Sequence, residues 1–301
     1  MLDILTWADD MYPIVLKRFQ DRFDKRSGLI KDTIGYVALK NSNQYADEGM
    51  GGYGLVPDYN GSLITELNQK RGYKTTYTPK EKAAKATVMY KFAKTDMSGE
   101  AAKAGAKMAD SLAMTQLRDF YNLFAQGWNT AITGADGQPL FSASHPINGS
   151  GSGDGTFNNT GTTAFGVAGV TAAQTAAQRW KTFDGLDFDC DMNLCLIAPE
   201  LEPKAKELFG ANAKQLPESA NIGGANPVSD MRYVVIKGFS AKQWAICDSL
   251  LLQDYIKMVE ITAPMVIPNK PDNPLVQEYV GYMDYVIGYS DARCIYGMNP
   301  A

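Results

Sequence analysis

Residues Ser98–Ile132 read SGEAAKAGAKMADSLAMTQLRDFYNLFAQGWNTAI. The stretch holds no proline, and its alanines, lysines and glutamate favour helix. Met108, Leu112, Leu117, Phe120, Phe124, Trp128 and Ile132 recur mainly at a four-residue step, which lines one face of a helix. Thr133-Gly134 follows as a stop. The reading predicts a single helix over 98–132, a rod of roughly 50 Å at about 1.5 Å per residue. A mean globular helix is about a third as long. A rod of that size sets the shape of a 301-residue chain and predicts an elongated subunit.

Upstream, residues 45–94 are poor in aliphatic core. Turn formers and tyrosines fill Gly49-Met50-Gly51-Gly52-Tyr53-Gly54 and Pro57-Asp58-Tyr59-Asn60-Gly61. Tyr73, Thr75 and Tyr77 then alternate, as do Ala84, Ala86, Val88, Tyr90 and Phe92. Pro79–Lys85 is open to a helical reading. The whole is read as one long, mostly polar β-hairpin, marginal by itself in water and in need of an outside support. Ahead of it, Met11, Ile14, Val15, Phe19 and Phe23 fall at helical spacing. Asp9 or Asp10 would cap this short helix, Pro13 would sit in its first turn, and Ser27-Gly28 would end it. Its apolar stripe needs a partner surface, in the same chain or in another.

Downstream, Asp136–Pro146 leads into a polar loop over 148–163, and a helix is expected at about 171–182. Leu194–Pro199 reads as a short apolar strand and Glu200–Phe209 as a helix. Gln215–Val228 reads as a surface loop. Tyr233–Ile236, Gln243–Ile246 and Ile256–Ile261 read as strands. Pro264, Pro268, Pro271 and Pro274 are expected to interrupt pairing, because proline lacks the ladder donor. A long final strand places Tyr279, Met283, Tyr285, Ile287 and Tyr289 on one face, ahead of Arg293–Gly297. Helices and strands of this kind make an α+β fold.

Composition removes several function classes. Net charge is −4, with 29 Lys and Arg against 33 Asp and Glu, which opposes a dedicated nucleic-acid binder. The single histidine, His145, precludes a metal site built on two or three imidazoles. Cys190, Cys195, Cys247 and Cys294 form no Cys-x-x-Cys pair and are expected reduced and packed. No run of about 18 apolar residues would span a membrane, and the first ten residues have acids where an export signal has bases.

Three motifs have a chemical reading and a plainer one. Gly49–Gly54 spells a dinucleotide loop, but Pro57 and Asn60-Gly61 stand where its helix should begin. Asp187, Asp189, Asp191 and Asn193 echo a calcium loop without its glycine and distal glutamate, and fit a half-buried strand better. Ser142 and His145 invite a serine hydrolase, yet no glycine-flanked elbow surrounds Ser142. Ser144 and His145, adjacent in extended chain before Pro146, point opposite ways. A turn-anchoring hydrogen bond suits His145 better. No catalytic, cofactor-binding or metal residues are assigned, and no cofactor is expected.

Charge is distributed unevenly. Lys70, Arg71, Lys74, Lys80, Lys82, Lys85, Lys91 and Lys94 face one acid, Glu81, between 70 and 94. That span carries +7 and leaves −11 for the remainder. These bases, with Phe19 and Phe23 of the first helix, are the candidate inter-subunit contacts, docking on an acidic surface of an identical neighbour.

The order of parts resembles the major capsid protein of tailed bacteriophages, the Hong Kong 97-type fold also used by encapsulins. The likeness is closest to the Mu-like major head subunits, whose long helix runs into a DG-x-x-LF-S-x-x-HP segment. Here that segment is Asp136-Gly137-Gln138-Pro139-Leu140-Phe141-Ser142-Ala143-Ser144-His145-Pro146. Also similar are Phe124–Trp128, Tyr77–Glu81, Leu196–Glu202, Trp244–Asp248 and Asp291–Gly297, spread over nearly the whole chain. The resemblance implies an N-terminal arm (1–44), an extended loop (45–94) lying over a neighbour, and a peripheral domain (95–185) around the 98–132 spine. It further implies an axial domain (186–285) and a C-terminal return to the periphery (286–301).

The implied function is a structural shell. Hexamers and pentamers of the chain would form an icosahedral head around double-stranded DNA, assembled in the host cytoplasm. Expected partners are copies of itself, a portal, a separate scaffolding protein, a decoration protein and, non-specifically, the DNA. An encapsulin-type compartment and a Ser142/His145 hydrolase are the alternatives.

Overall fold

The computed structural model describes residues 7–50, 55–59, 61, 64–67, 71–95, 99, 101, 103–147, 155–210, 226–269 and 272–301. Its elements run α1 (Trp7–Thr33), β1 (Gly35–Ala38), β2 (Tyr45–Met50), β3 (Arg71–Tyr77), β4 (Lys80–Met89), α2 (Tyr90–Thr95) and α3 (Ala104–Ala125). Next come β5 (His145–Pro146), β6 (Thr156–Phe157), β7 (Thr160–Gly161), α4 (Val167–Ala177), β8 (Leu194–Ile197) and α5 (Glu202–Leu208). The chain closes with β9 (Arg232–Val235), β10 (Trp244–Cys247), α6 (Ser249–Tyr255), β11 (Ile256–Asn269), β12 (Val276–Tyr289) and β13 (Ile295–Met298). The chain divides into two compact units, with breaks after residues 45, 76, 120, 257 and 287 and none near 95 or 186.

The first unit comprises residues 1–45, 77–120 and 258–287. Its sheet has the order β1-β11-β12-β4. Alternate residues of β12 turn inward, with Gln277, Tyr279, Met283 and Tyr285 buried, as the period-two pattern predicts. Gly281 lets the strand meet α3 closely, since a Cβ there would stand 2.6 Å from Met108 Sδ. β4 pairs antiparallel with β12, Lys80 opposite Tyr285 through Met89 opposite Val276. The return arm of the expected 45–94 hairpin is therefore a strand of this sheet, and the chain turns into α2 where alternation was expected to continue. β11 runs through Pro264 and Pro268, correcting their reading as breaks. Only four-residue β1 lies on its outer side, so much of that edge needs no N–H.

α1 is the largest departure in this unit. It spans 27 residues, passes through Ser27-Gly28, and holds Pro13 in its interior rather than its first turn. Asp9 and Asp10 lie in the first turn, where carboxylates favour the helix dipole. Its apolar face is buried within its own unit. Trp7 meets Tyr90 edge-on at 5.6 Å and donates its indole N–H to the Pro274 carbonyl at 3.2 Å. Val15 crosses α3 at Gly105, where an added Cβ would sit 2.2 Å from the Val15 carbonyl oxygen.

The second unit comprises residues 46–76, 121–257 and 288–301. Its sheet has the order β7-β13-β10-β8-β9, with β10 antiparallel to both β8 and β13 and β8 parallel to β9. Every residue of β8, β10 and β13 is buried, so these strands read as continuous apolar runs. α6, unforeseen from sequence, is capped by Asp248, whose carboxylate accepts from the Leu250 and Leu251 N–H groups. All four cysteines are free and buried, as expected. Burial pushes the Cys190 thiol up to about 11 and raises the other three as well.

The 98–132 helix is shorter than its periodicity predicts. α3 spans 22 residues, about 33 Å of rise. It ends because Gly127 is needed against Phe141. A Cβ on Gly127 would lie 2.5 Å from that ring, and the Phe141 N–H donates to the Gly127 carbonyl at 2.8 Å. Trp128 then turns to pack its ring, tilted by 34°, against Phe141 at 4.3 Å instead of extending the rod. The second predicted helix also moves, to Val167–Ala177.

Candidate assembly surfaces

β2 and β3 pair as a two-stranded ribbon, so the hairpin covers 45–77 and not 45–94. Such a ribbon has no third strand to bury a face, and its connection carries apolar groups into water. Leu55, Val56 and Ile64 are 78, 83 and 85 % exposed, and Tyr59 is also exposed. Val56, Pro57, Asp58, Tyr59, Ile64 and Leu67 line a shallow cleft between them. A run of large apolar groups this open is the mark of a surface meant to be covered.

The ten predicted contact residues separate into three groups. Lys74, Lys80, Lys91 and Lys94 are exposed, Lys94 standing 5.8 Å from the Tyr90 ring centre. Lys70 and the side chain of Arg71 lie outside the described residues. The others are engaged within the chain. Lys82 forms an ion pair with Asp119 and hydrogen-bonds the Tyr285 hydroxyl, which itself donates to Asp119 at 2.7 Å. Lys85 pairs with Glu278 at 2.8 Å, a surface contact that contributes little. Phe19, on the inner face of α1, is buried within the chain and stacks on the half-buried Phe23 at 5.9 Å. Within the +7 span, Lys82 and Lys85 are therefore engaged inside the chain. β4 spends part of its charge holding its own sheet together.

His145 and Ser142 do not meet. His145 is fully buried, its Nδ1 is 2.5 Å from Asp136 Oδ2, and its ring stacks on Phe157 at 4.9 Å. Nε2, the nitrogen that would take a proton from a nucleophile, has no hydrogen-bond partner. The Ser142 hydroxyl donates to Gln138 Oε1 at 3.0 Å. This is a turn closed by side chains, with the base and the hydroxyl directed to separate partners.

The polar loop supplies a structural centre that sequence reading missed. Asn159 is fully buried in it; its amide donates to the Leu140, Ala292 and Ile295 carbonyls, and its Oδ1 accepts from the Ser142 N–H at 2.8 Å. Beside it Arg293, 2 % exposed, pairs with Asp291 and donates to the Lys181 and Ile147 carbonyls, its guanidinium 3.9 Å from the Phe183 ring centre. The local signal was an asparagine among glycines and serines, which is indistinguishable from loop composition.

The remaining motifs resolve locally. Asp187, Asp189 and Asp191 are exposed while Cys190 and Met192 are buried, the alternation of a half-buried segment. Gly49 lies in β2 against the Phe183 ring, and residues 51–54 of that motif lie outside the described set. Among the described residues, no three His, Cys, Asp or Glu side chains gather to hold a metal, and no helix is long and apolar enough to cross a membrane.

Comparison with known proteins gives this architecture a family. The fold is similar to that in the capsid structure of the cyanophage P-SCSP1u, at 12 % identity over 90 % of this chain and 87 % of that one, with a TM-score of 0.56. The capsid of a native GTA particle matches at 10 % identity over 90 % and 89 % of the two chains, TM-score 0.57. A virus-like particle from Pyrococcus furiosus matches at 8 % identity over 95 % and 97 %, TM-score 0.52. At such identities the likeness establishes the fold alone. No curated protein matches the sequence. The sequence model of the phage capsid protein family, however, matches residues 72–297, three quarters of the chain. With a Hong Kong 97-like fold beneath that match, the chain belongs to the phage capsid protein family.

Proposed function

We propose that this capsid protein is the major head subunit of a phage, assembling into hexamers and pentamers of an icosahedral shell that encloses double-stranded DNA, with no catalysis of its own. The observation that carries the assembly reading is the exposure of Leu55, Val56, Tyr59 and Ile64 on the connection of a two-stranded ribbon. Closed symmetry lets every copy cover the same surface on its neighbour. The unit built on α3 and the long strands β11 and β12 serves as the peripheral domain, and the five-stranded unit as the axial domain. Exposed Lys74, Lys80, Lys91 and Lys94 guide the approach of a neighbour whose remaining surface is acidic. A net charge of −4 suits a wall along which packaged DNA slides. A portal, a scaffolding protein and a decoration protein are the further partners, and assembly takes place in the host cytoplasm.

Light scattering on the purified chain, followed by negative-stain imaging and a nuclease-protection assay of particles from infected cells, tests this reading. The expected result is capsomers or shells, with protected double-stranded DNA inside. Particles that protect protein cargo and no DNA would make the shell an encapsulin-type compartment. A stable monomer at high concentration would overturn assembly altogether.

A further inference from the structure

Asp284 is a buried carboxylate that the fold leaves without an answer. It is 7 % exposed, and its Oδ1 has no hydrogen-bond partner. Among the described residues, the two other acids whose side chains are as deeply buried are satisfied. Glu260 accepts from the Tyr36 hydroxyl at 2.6 Å, and Asp248 accepts from the Asp191, Leu250 and Leu251 N–H groups. Directly across the ladder from Asp284 stands a second acid, Glu81 of edge strand β4. Residues so opposed have Cβ atoms about 4.5–5.5 Å apart, and like charges there repel. Burial first, and then the Glu81 charge, raise the Asp284 pKa.

Among the described residues, the surroundings supply no internal cation. Lys82 projects to the opposite face of β4 and is engaged with Asp119 and Tyr285. Lys85, on the same face as Glu81, is paired with Glu278. Among the described residues neither Glu81 nor Asp284 has an ion-pair partner. Glu81 is exposed, so the pair opens to solvent on that side, and its Oε1 accepts from the Tyr282 hydroxyl at 3.0 Å. Tyr282 lies two positions from Asp284 and hence on the same face of β12. A carboxylate removed from water is neutralised by a proton or by a cation.

We propose that Glu81 and Asp284 form a divalent-cation site, taking Mg²⁺ or Ca²⁺ between two carboxylates with water completing the shell. Hard oxygen ligands suit these ions, and Mg²⁺ in particular is held by one or two carboxylates while keeping several waters. Tyr282 is a positioning residue that fixes the Glu81 carboxylate. The ion ties edge strand β4 to β12 and removes the repulsion between the two acids.

The test follows the unfolding midpoint of the full chain as MgCl₂ or CaCl₂ replaces NaCl at constant ionic strength, with Tb³⁺ luminescence as the direct binding readout. The wild-type midpoint is expected to rise saturably with divalent ion. Asp284→Asn is expected to lose that rise and the corresponding part of the Tb³⁺ signal, while unfolding no earlier than wild type in NaCl. Tyr282→Phe is expected to weaken binding roughly tenfold, and Glu81→Gln by more. An equal divalent response in wild type and Asp284→Asn, or no saturable binding to wild type, would overturn the site. A cation-independent gain in Asp284→Asn that grows with pH would assign the pair to a shared proton instead, and also overturn it. Glu81 is exposed, so Glu81→Gln keeps the question answerable should Asp284→Asn not fold.

Discussion

The helix that begins the described chain and the loop at 55–67 are built from the same kind of residue and meet opposite fates. α1 lays Trp7, Val15, Phe19 and Ile30 onto its own unit, each of them 3 % exposed or less. Leu55, Val56 and Ile64 stay at least 78 % exposed. Over 27 residues of helical period, α1 makes a continuous stripe that α3 and the sheet can accept, down to a glycine crossing at Gly105. The loop offers no period, and its ribbon has no third strand. Apolar residues in a sequence therefore do not themselves announce a neighbour; only those that the fold cannot cover do so.

That contrast can be broken at several points. Trp7→Ala should cost the most, about 3–5 kcal/mol, because it empties a buried site between α1 and Tyr90. Chemical denaturation of the unassembled chain would read it, and a change below about 1 kcal/mol would mean that α1 is not docked. Gly105→Ala should cost about 1–3 kcal/mol by forcing α1 off α3, read in the same way.

Alkaline pH sharpens the comparison further. Burial raises Tyr279 and Tyr255 to about 12. A tyrosine whose folded pKa is raised favours the folded state fully below its ordinary pKa near 10 and loses that contribution as pH climbs toward 12. Stability followed from pH 9 to 12 should fall across that window, and a flat profile would contradict the burial of β12. The smallest stability effect belongs to the loop. Leu55→Ser with Ile64→Ser should leave unfolding within about 0.5 kcal/mol of wild type, as surface changes do.

Much of this architecture was legible wherever burial follows a local period. The inward face of β12, the apolar runs of β8 and β10 and the packed cysteines all follow from sequence patterns. What escaped was decided by partners far along the chain. β4 reads as the return arm of a hairpin because nothing within ten residues reveals that its ladder partner is β12. α3 stops early because Gly127 seats Phe141, a contact invisible to periodicity. Ser27-Gly28 fails to stop α1 because burial of Ile30 beyond it outweighs the propensity of a glycine. Of the predicted contact residues, Lys74, Lys80, Lys91 and Lys94 are exposed, whereas Phe19 is buried and Lys82 is paired within the chain. The loop residues Leu55, Val56 and Ile64 were in plain sight, but single apolar residues among turn formers carry no signal until their exposure is known.

The central claim is that the 55–67 loop, and not the helix that precedes it, is the surface this capsid protein gives to its neighbours. Light scattering of wild type against the Leu55→Ser/Ile64→Ser variant, at matched concentration and with the fold verified by circular dichroism, tests it most directly. The account predicts capsomers or shells for wild type and folded, smaller species for the variant. Shells of undiminished yield and size from the variant would contradict it.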